Sequence, residues 1–562
     1  MSPARRSVAV LGAIAAITAL IVVWQVSSYP TTASAPDTAP TASGAADDSQ
    51  REVVAPELVP DKPWGPTAQE WAQARADAEA LPLEQAAGLV IIPRWSTTNT
   101  NEAIALMKRG QFGGIILMGG AIGSASDVRE MTAAIQEASP FPWGAIISTD
   151  QEGGNTARLR GVVPDLPGLM AAGAAQDKVA VKSIYTQAGV DMRALGFTMN
   201  YAPVADMTIG AADPIIQVRS PGDEVDNVSV TAVAALEGYV ASGVVPVVKH
   251  FPGHGSLTVD SHVGLPQQDA SRAQLEERDL VPFRRAVEAG APAMMMAHVV
   301  IDEWGSRPAT IEPAAYEYVR NELGFDGLMV TDALDMAAVS ADYSPGDAAV
   351  AALRAGADIL LMPADPVAAR DAVVAAVTNG VVERSRLDEA ATRVIALQRW
   401  QAGLGPYADT GTNYGRELAV AGATVAAQDC AAPLVTEPVL VTGGIAADRR
   451  AVVEALAVHG VDASATAGAA PSPTPAPGSE EADAGTVVAL VVPGTEPPQA
   501  DVLVALDGPW TLEGHDASAY VGLYGDTDDA LAGLADVLAG AAAPGGTWPV
   551  AVDLPYAVCG GA

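Results

Sequence analysis

Eight short apolar runs, at 88–93, 113–119, 144–149, 198–204, 244–249, 293–300, 327–331 and 358–362, constrain this chain more than any other feature. Each ends in Gly, Pro or polar residues, and longer amphipathic stretches such as 228–242, 271–289, 312–323, 366–380 and 385–403 separate them. Strands that are apolar on both faces and followed by helices belong to parallel sheets. Eight in succession predict a (β/α)8 TIM-type barrel, a fold of class α/β, over 67–404. The pattern then changes: runs at 438–442, 486–492, 501–505 and 519–524, with helix-like stretches at 448–459 and 528–539, predict a smaller α/β sandwich domain over 405–562. Its insert at 467–485 contains PSPTPAPGSEE and reads as disordered. Two domains also suit a length of 562 residues, too many for one core.

The N-terminus carries two arginines in MSPARRS, then an uncharged run over 8–24. This is an export signal, and 1–28 is either a cleaved signal peptide or a retained single-pass membrane anchor. A Pro-, Ala- and Thr-rich linker over 29–66 follows. The chain is expected outside the cytoplasm, secreted or anchored. With 31 basic against 67 acidic residues, a formal charge of -36, it has no basic surface for nucleic acid or for anionic lipid headgroups. The two cysteines, Cys430 and Cys559, are permitted a disulfide in an oxidising compartment, with their separation in space left open.

Active sites of such barrels lie at the C-terminal ends of the strands. Asp150-Gln151-Glu152, Asp206, Lys249-His250, His298, Asp332 and Asp365 all fall at or just after strand ends. Four of the six histidines, His250, His254, His262 and His298, lie between the ends of the fifth and sixth strands. In Asp260-Ser261-His262 the carboxylate can fix the imidazole tautomer for proton transfer, although such tripeptides also occur on ordinary loops. Asp332 emerges from LMVTDALDM and can act as a nucleophile. The structural alternative, a helix N-cap, suits Asp335 better. Asp150 and Arg158 flank a glycine pair in DQEGGNTARLR, where they can hydrogen-bond sugar hydroxyls or simply join a salt-bridge network with Arg219, Lys249 and His250. His250 and His254 are spaced as zinc ligands, but Phe251-Pro252-Gly253 breaks any helix between them and no third ligand follows. No metal and no cofactor is therefore expected.

KHFPGHG followed by DSHVGLP, with DQEGG, NYAPVADM and RSPGDEV upstream and TDALDM downstream, resembles glycoside hydrolase family 3, and within it the bacterial β-N-acetylhexosaminidases. The resemblance implies Asp332 as nucleophile of a covalent glycosyl-enzyme, His262 as acid/base and Asp260 as its dyad partner. It assigns Asp150, Arg158, Arg219, Lys249 and His250 to holding the sugar. The implied reaction is removal of terminal β-linked N-acetylglucosamine with retained configuration, from peptidoglycan or related amino-sugar glycans. A β-glucosidase of the same family, phosphate as acceptor in place of water, and a wall-binding protein without catalysis stay open. The sequence departs from the family at Ser256 and Ala333, positions often acidic, and at Pro221, commonly aromatic.

Overall fold

The structure is a computed structural model describing residues 65–261, 263–405, 407–466 and 485–559. The export segment at 1–28, the linker at 29–66 apart from its last two residues, His262 and the insert at 467–485 apart from Gly485 lie outside the described residues.

The first body is a ring of short parallel strands: β1 (Ile91–Ile92), β2 (Arg94–Trp95), β3 (Gly114–Leu117), β4 (Ile146–Thr149), β5 (Met199–Asn200), β6 (Val245–Phe251), β7 (Ala293–Met296), β8 (Leu328–Thr331) and β9 (Leu360–Leu361). Seven pair in the order β8-β7-β6-β5-β4-β3-β2. The first predicted run and the two residues that follow it supply both sides of the remaining seam. Ile91 pairs with Leu360 of β9, Arg94 pairs with Ile116 of β3, and a Val330–Ile359 bridge joins β8 to the start of β9. The break falls at Pro93, which has no N–H to give either neighbour. Gly88 and Leu89, expected in that strand, instead end the helix Leu83–Leu89, because a Cβ at Gly88 would strike the carbonyls of Gly110 and Gln111.

Alternation along the strands gives each a face toward the barrel axis and a face toward the helices, and both are buried. Ile116, Ile146, Val245, Val247, Met295 and Val330 share one cluster, while Ile115, Leu117, Met294 and Met296 belong to another. Burying each large apolar side chain contributes about 1.5–3 kcal/mol. The stretch 271–289, expected as one helix, is two, Arg272–Glu277 and Val281–Glu288. Pro282 explains the break: inside a helix it would remove one hydrogen bond and clash with the preceding turn, so it opens the second helix instead.

The second body has a six-stranded sheet built from β10 (Thr424–Ala427), β11 (Val439–Gly443), β12 (Ala463–Ala465), β13 (Val487–Val491), β14 (Val502–Ala505) and β15 (Ala519–Gly522). Their order is β10-β15-β14-β13-β11-β12, parallel except for β10. Both edge strands, β10 and β12, are Ala- and Thr- or Ser-rich and went unrecognised in the sequence. Cys430 and Cys559 form a disulfide with Cα atoms 5.3 Å apart, tying the segment after β10 to the end of the described chain. Backbone hydrogen bonds join the two bodies: Gly168 N–H donates to the Tyr524 carbonyl at 2.8 Å and Thr547 N–H to the Ala174 carbonyl at 2.9 Å. Tyr524 and Val550 sit in the same apolar cluster as the barrel's outer layer.

Candidate active site

The carboxyl ends of the barrel strands converge on a cavity of about 340 Å³. Asp150 follows β4 directly, and the chain then doubles back as a short antiparallel ribbon, Gln151–Gly153 against Thr156–Ala157. The turn needs Gly153 and Gly154, with φ of +113° and +52°, and a Cβ at Gly153 would strike the Pro167 carbonyl. This ribbon is what DQEGG encodes: it brings Glu152 and Arg158 to the same mouth as Asp150.

Lys249, within β6, places Nζ 2.9 Å from Asp150 Oδ1 and 2.5 Å from Glu152 Oε1. Arg219 grips Glu152 with two parallel bonds, both 2.8 Å. Such two-pronged, charge-assisted bonds fix direction as well as strength. Burial opposes ionisation of Glu152, but Arg219 and Lys249 together hold its carboxyl well below the usual range. Burial likewise disfavours the Lys249 ammonium, and Asp150 and Glu152 more than offset it. His250 Nδ1 lies 2.7 Å from Asp206 Oδ2, while Asp206 Oδ1 accepts the backbone N–H of His250 at 3.1 Å and of His254 at 2.9 Å. The carboxylate acceptor puts a proton on His250 Nδ1 and leaves Nε2 toward Arg219, 3.4 Å away.

Asp332 follows β8 on the facing wall. Its Oδ1 accepts the Ala333 N–H at 2.7 Å, and its own N–H donates to the Met296 carbonyl at 3.0 Å. Burial pushes its carboxyl up, but His298, His250, the Ala333 N–H and Lys249 bring it below the ordinary value. Asp332 is therefore not a helix cap; nor is Asp335, which pairs with Arg94 of β2 at 2.5 Å on the rim. Asp365 is a cap, accepting the N–H groups of Val367 and Ala368 at the start of helix Pro366–Thr378.

The structure thus brings Asp150, Arg158, Arg219, Lys249, His250 and Asp332 around one cavity. Arg158 Nε is a buried donor without an acceptor among the described residues. Asp260 sits in the loop above, its carbonyl accepting the N–H of Val263 and Gly264 at 3.0 Å. Next to it Ser261 lines the cavity, bonds His254 Nε2 at 2.8 Å, and through its carbonyl takes the Ala338 N–H at 3.3 Å, tying this loop to the segment after Asp332. A Cβ at Gly255 would strike the Met207 carbonyl, so this glycine serves close approach. The His250 and His254 rings meet edge-on, 6.1 Å apart, with different partners, and among the described residues no group of three or more His, Cys, Asp or Glu converges on a metal position.

Three residues of the site carried weaker signals. Glu152 and Asp206 follow strands four and five of the ring in DQEGG and NYAPVADM, but spacing does not reveal that Glu152 bridges two cations or that Asp206 orients His250. Arg94 was hidden by the misplaced first strand. Chemically, the pocket alternates fixed donors and acceptors on one side and sets a carboxylate with a lowered affinity for protons on the other. Donors and acceptors so arranged can hydrogen-bond the hydroxyls of a polyhydroxylated ligand.

The profile of the Glycosyl hydrolase family 3 N terminal domain matches residues 82–397. Beta-hexosaminidase A of Pseudoalteromonas piscicida is 35% identical over 288 residues, 48% of this chain and 48% of that protein, so the chain spans about half of this relative's length. Beta-hexosaminidase LpqI of Mycobacterium tuberculosis is 32% identical over 340 residues, 58% of this chain and 84% of that protein. Among solved structures, a glycoside hydrolase family 3 beta-N-acetylglucosaminidase from Paenibacillus sp. str. FPU-7 is 28% identical, with a TM-score of 0.73, covering 84% of this chain and 99% of its own. By the matched barrel and the arrangement within it, this chain belongs to glycosyl hydrolase family 3.

Proposed function

We propose that this protein is a retaining β-N-acetylhexosaminidase that acts outside the cytoplasm, secreted or held at the membrane by its N-terminal segment, on terminal β-linked N-acetylglucosamine of peptidoglycan or related glycans. The observation that carries the reading is the placement of the Asp332 carboxylate across a single cavity from Asp150, Arg158, Arg219, Lys249 and His250. The names of its relatives support the same activity.

In this reading Asp332 attacks the anomeric carbon while His262, oriented by Asp260, gives its proton to the leaving oxygen. Water then attacks the same carbon, loses a proton to His262, and releases Asp332. An imidazole replaces the second carboxylate that most retaining glycosidases use. The five sugar-holding residues fix the ring so that carbon and carboxylate meet.

The test is a panel of aryl β-glycosides, assayed with and without phosphate, on the protein and on Asp332→Ala. Release from the N-acetylglucosaminide with retained configuration, lost in Asp332→Ala, is the expected result. Preference for the glucoside moves the chain to another branch of the family. An unchanged rate in Asp332→Ala removes the nucleophile assignment.

A further inference from the structure

His298, wholly buried just beyond β7, makes contacts that fix its protons. Its Nε2 lies 2.8 Å from the Ala333 carbonyl oxygen. A carbonyl can only accept, so Nε2 carries a proton. Its Nδ1 lies 2.7 Å from Thr310 Oγ1. That hydroxyl is itself 2.9 Å from the Met296 carbonyl and 2.7 Å from the Ala297 carbonyl. Two carbonyl oxygens this close can only accept, and the hydroxyl has one proton, which one of them takes or both share. With that proton turned to the carbonyls, a lone pair faces His298, and Nδ1 donates as well.

We infer that His298 is held as a doubly protonated imidazolium that positions Asp332 from behind and balances its charge. The route is short. Ala333 gives its N–H to Asp332 Oδ1 at 2.7 Å and its carbonyl to His298, so the ring clamps the peptide that the carboxylate leans on. His298 does not line the cavity and is a positioning residue. Around Asp332 stand Lys249 and His250 in β6, His254 beyond it, and Asp335 on the same turn, paired with Arg94 of β2. Among the groups that favour the ionised carboxyl, His298 is foremost. The inference rests on the reading of Asp332 as nucleophile for its catalytic consequence, but not for the protonation of the ring.

Nitrogen NMR of the full chain labelled at histidine tests the ring directly. One imidazole, absent from His298→Gln, is expected to show two protonated nitrogens from about pH 5 to 9, across the range where an ordinary histidine titrates. A bare Nδ1 at pH 6 overturns the inference. His298→Gln keeps a donor for Ala333 without the charge. Its acid limb of kcat/KM is expected to rise by about one pH unit and its kcat to fall by about tenfold, with KM unchanged. A folded His298→Gln with the original acid limb and kcat also overturns it. Should Asp332→Ala stay active, the nucleophile assignment fails while the NMR result still decides the state of His298.

Discussion

Glu152 and Asp358 are both buried carboxylates flanked by more than one cation in the same barrel, yet they sit at opposite edges of the sheet. Asp358 immediately precedes β9. Its Oδ1 takes Arg386 at 2.9 Å and Arg393 at 3.3 Å; its Oδ2 takes Arg320 at 2.7 Å and the Met329 N–H at 3.0 Å. Burial alone would raise its pKa, and the three arginines bring it below the ordinary value. Every acceptor is filled, and Asp358 is not among the residues that line the 340 Å³ cavity. Glu152, beyond β4, borders the 340 Å³ cavity, which is also lined by Arg158, whose buried Nε has no acceptor among the described residues. Position separates the two, not saturation: Arg393 Nε beside Asp358 also lacks an acceptor among the described residues, but the Glu152 cluster borders the cavity, while the Asp358 cluster ties the barrel's lower rim together. The same residue types do both jobs, so charge and burial alone identify neither.

The largest effect expected from breaking this contrast is at Asp332. Asp332→Ala should lower kcat/KM at least about a thousandfold, the scale of losing a covalent nucleophile, with little loss of thermal stability. Next is Asp358→Asn, which leaves buried arginines without their carboxylate and should cost about 3–5 kcal/mol in denaturant unfolding. The activity of the folded fraction should stay unchanged; loss of activity without loss of stability would erase the distinction between the two clusters. Arg158→Ala sharpens it from the other side. Removing a charged donor to the ligand should weaken kcat/KM by the equivalent of about 1.5–3 kcal/mol. The same change should leave unfolding almost untouched, because no partner is stranded.

The smallest effect concerns the boundary between the bodies. Asp165 N–H donates to Asp529 Oδ2 at 2.7 Å, and burial pushes the Asp165 carboxyl up to about 6. A carboxyl whose pKa is raised on folding adds stability in acid, fully present below its unfolded value near 4 and lost as pH rises through about 6. Asp165→Asn should therefore match the parent in unfolding at pH 4 and exceed it by about 1 kcal/mol at pH 7, a figure discounted for solvent screening. Equal stability at both pH values would show that the boundary carboxylate does not titrate in this range.

The barrel was legible because β4, β6, β7 and β8 are apolar on both faces, which is the direct imprint of helices outside and a packed core inside. The seam was not, since Pro93 ends the apolar run and the next two residues, Arg94 and Trp95, pair with a different neighbour, which periodicity cannot foretell. The site residues that end strands, Asp150, Lys249, His250 and Asp332, were visible as polar interruptions of apolar runs. Arg158 and Arg219 were visible only as neighbours of glycine and serine turns and through family resemblance. Asp206 and Glu152 escaped a role because their partners, His250 in one case and Arg219 with Lys249 in the other, are distant in sequence. Asp365 looked equally promising at a strand end and is a helix cap, because side-chain direction follows from backbone geometry that spacing does not encode.

The hydrogen bonds that cross from the barrel to the second sheet carry a consequence for cooperativity. Gly168, Asp165 and Thr547 all spend backbone N–H groups on the other body, and Tyr524 and Val550 fill the barrel's own apolar layer. Cutting the chain near residue 404 would leave donors without acceptors and open that layer to water. The barrel and the sheet should therefore melt together, as one calorimetric transition rather than two.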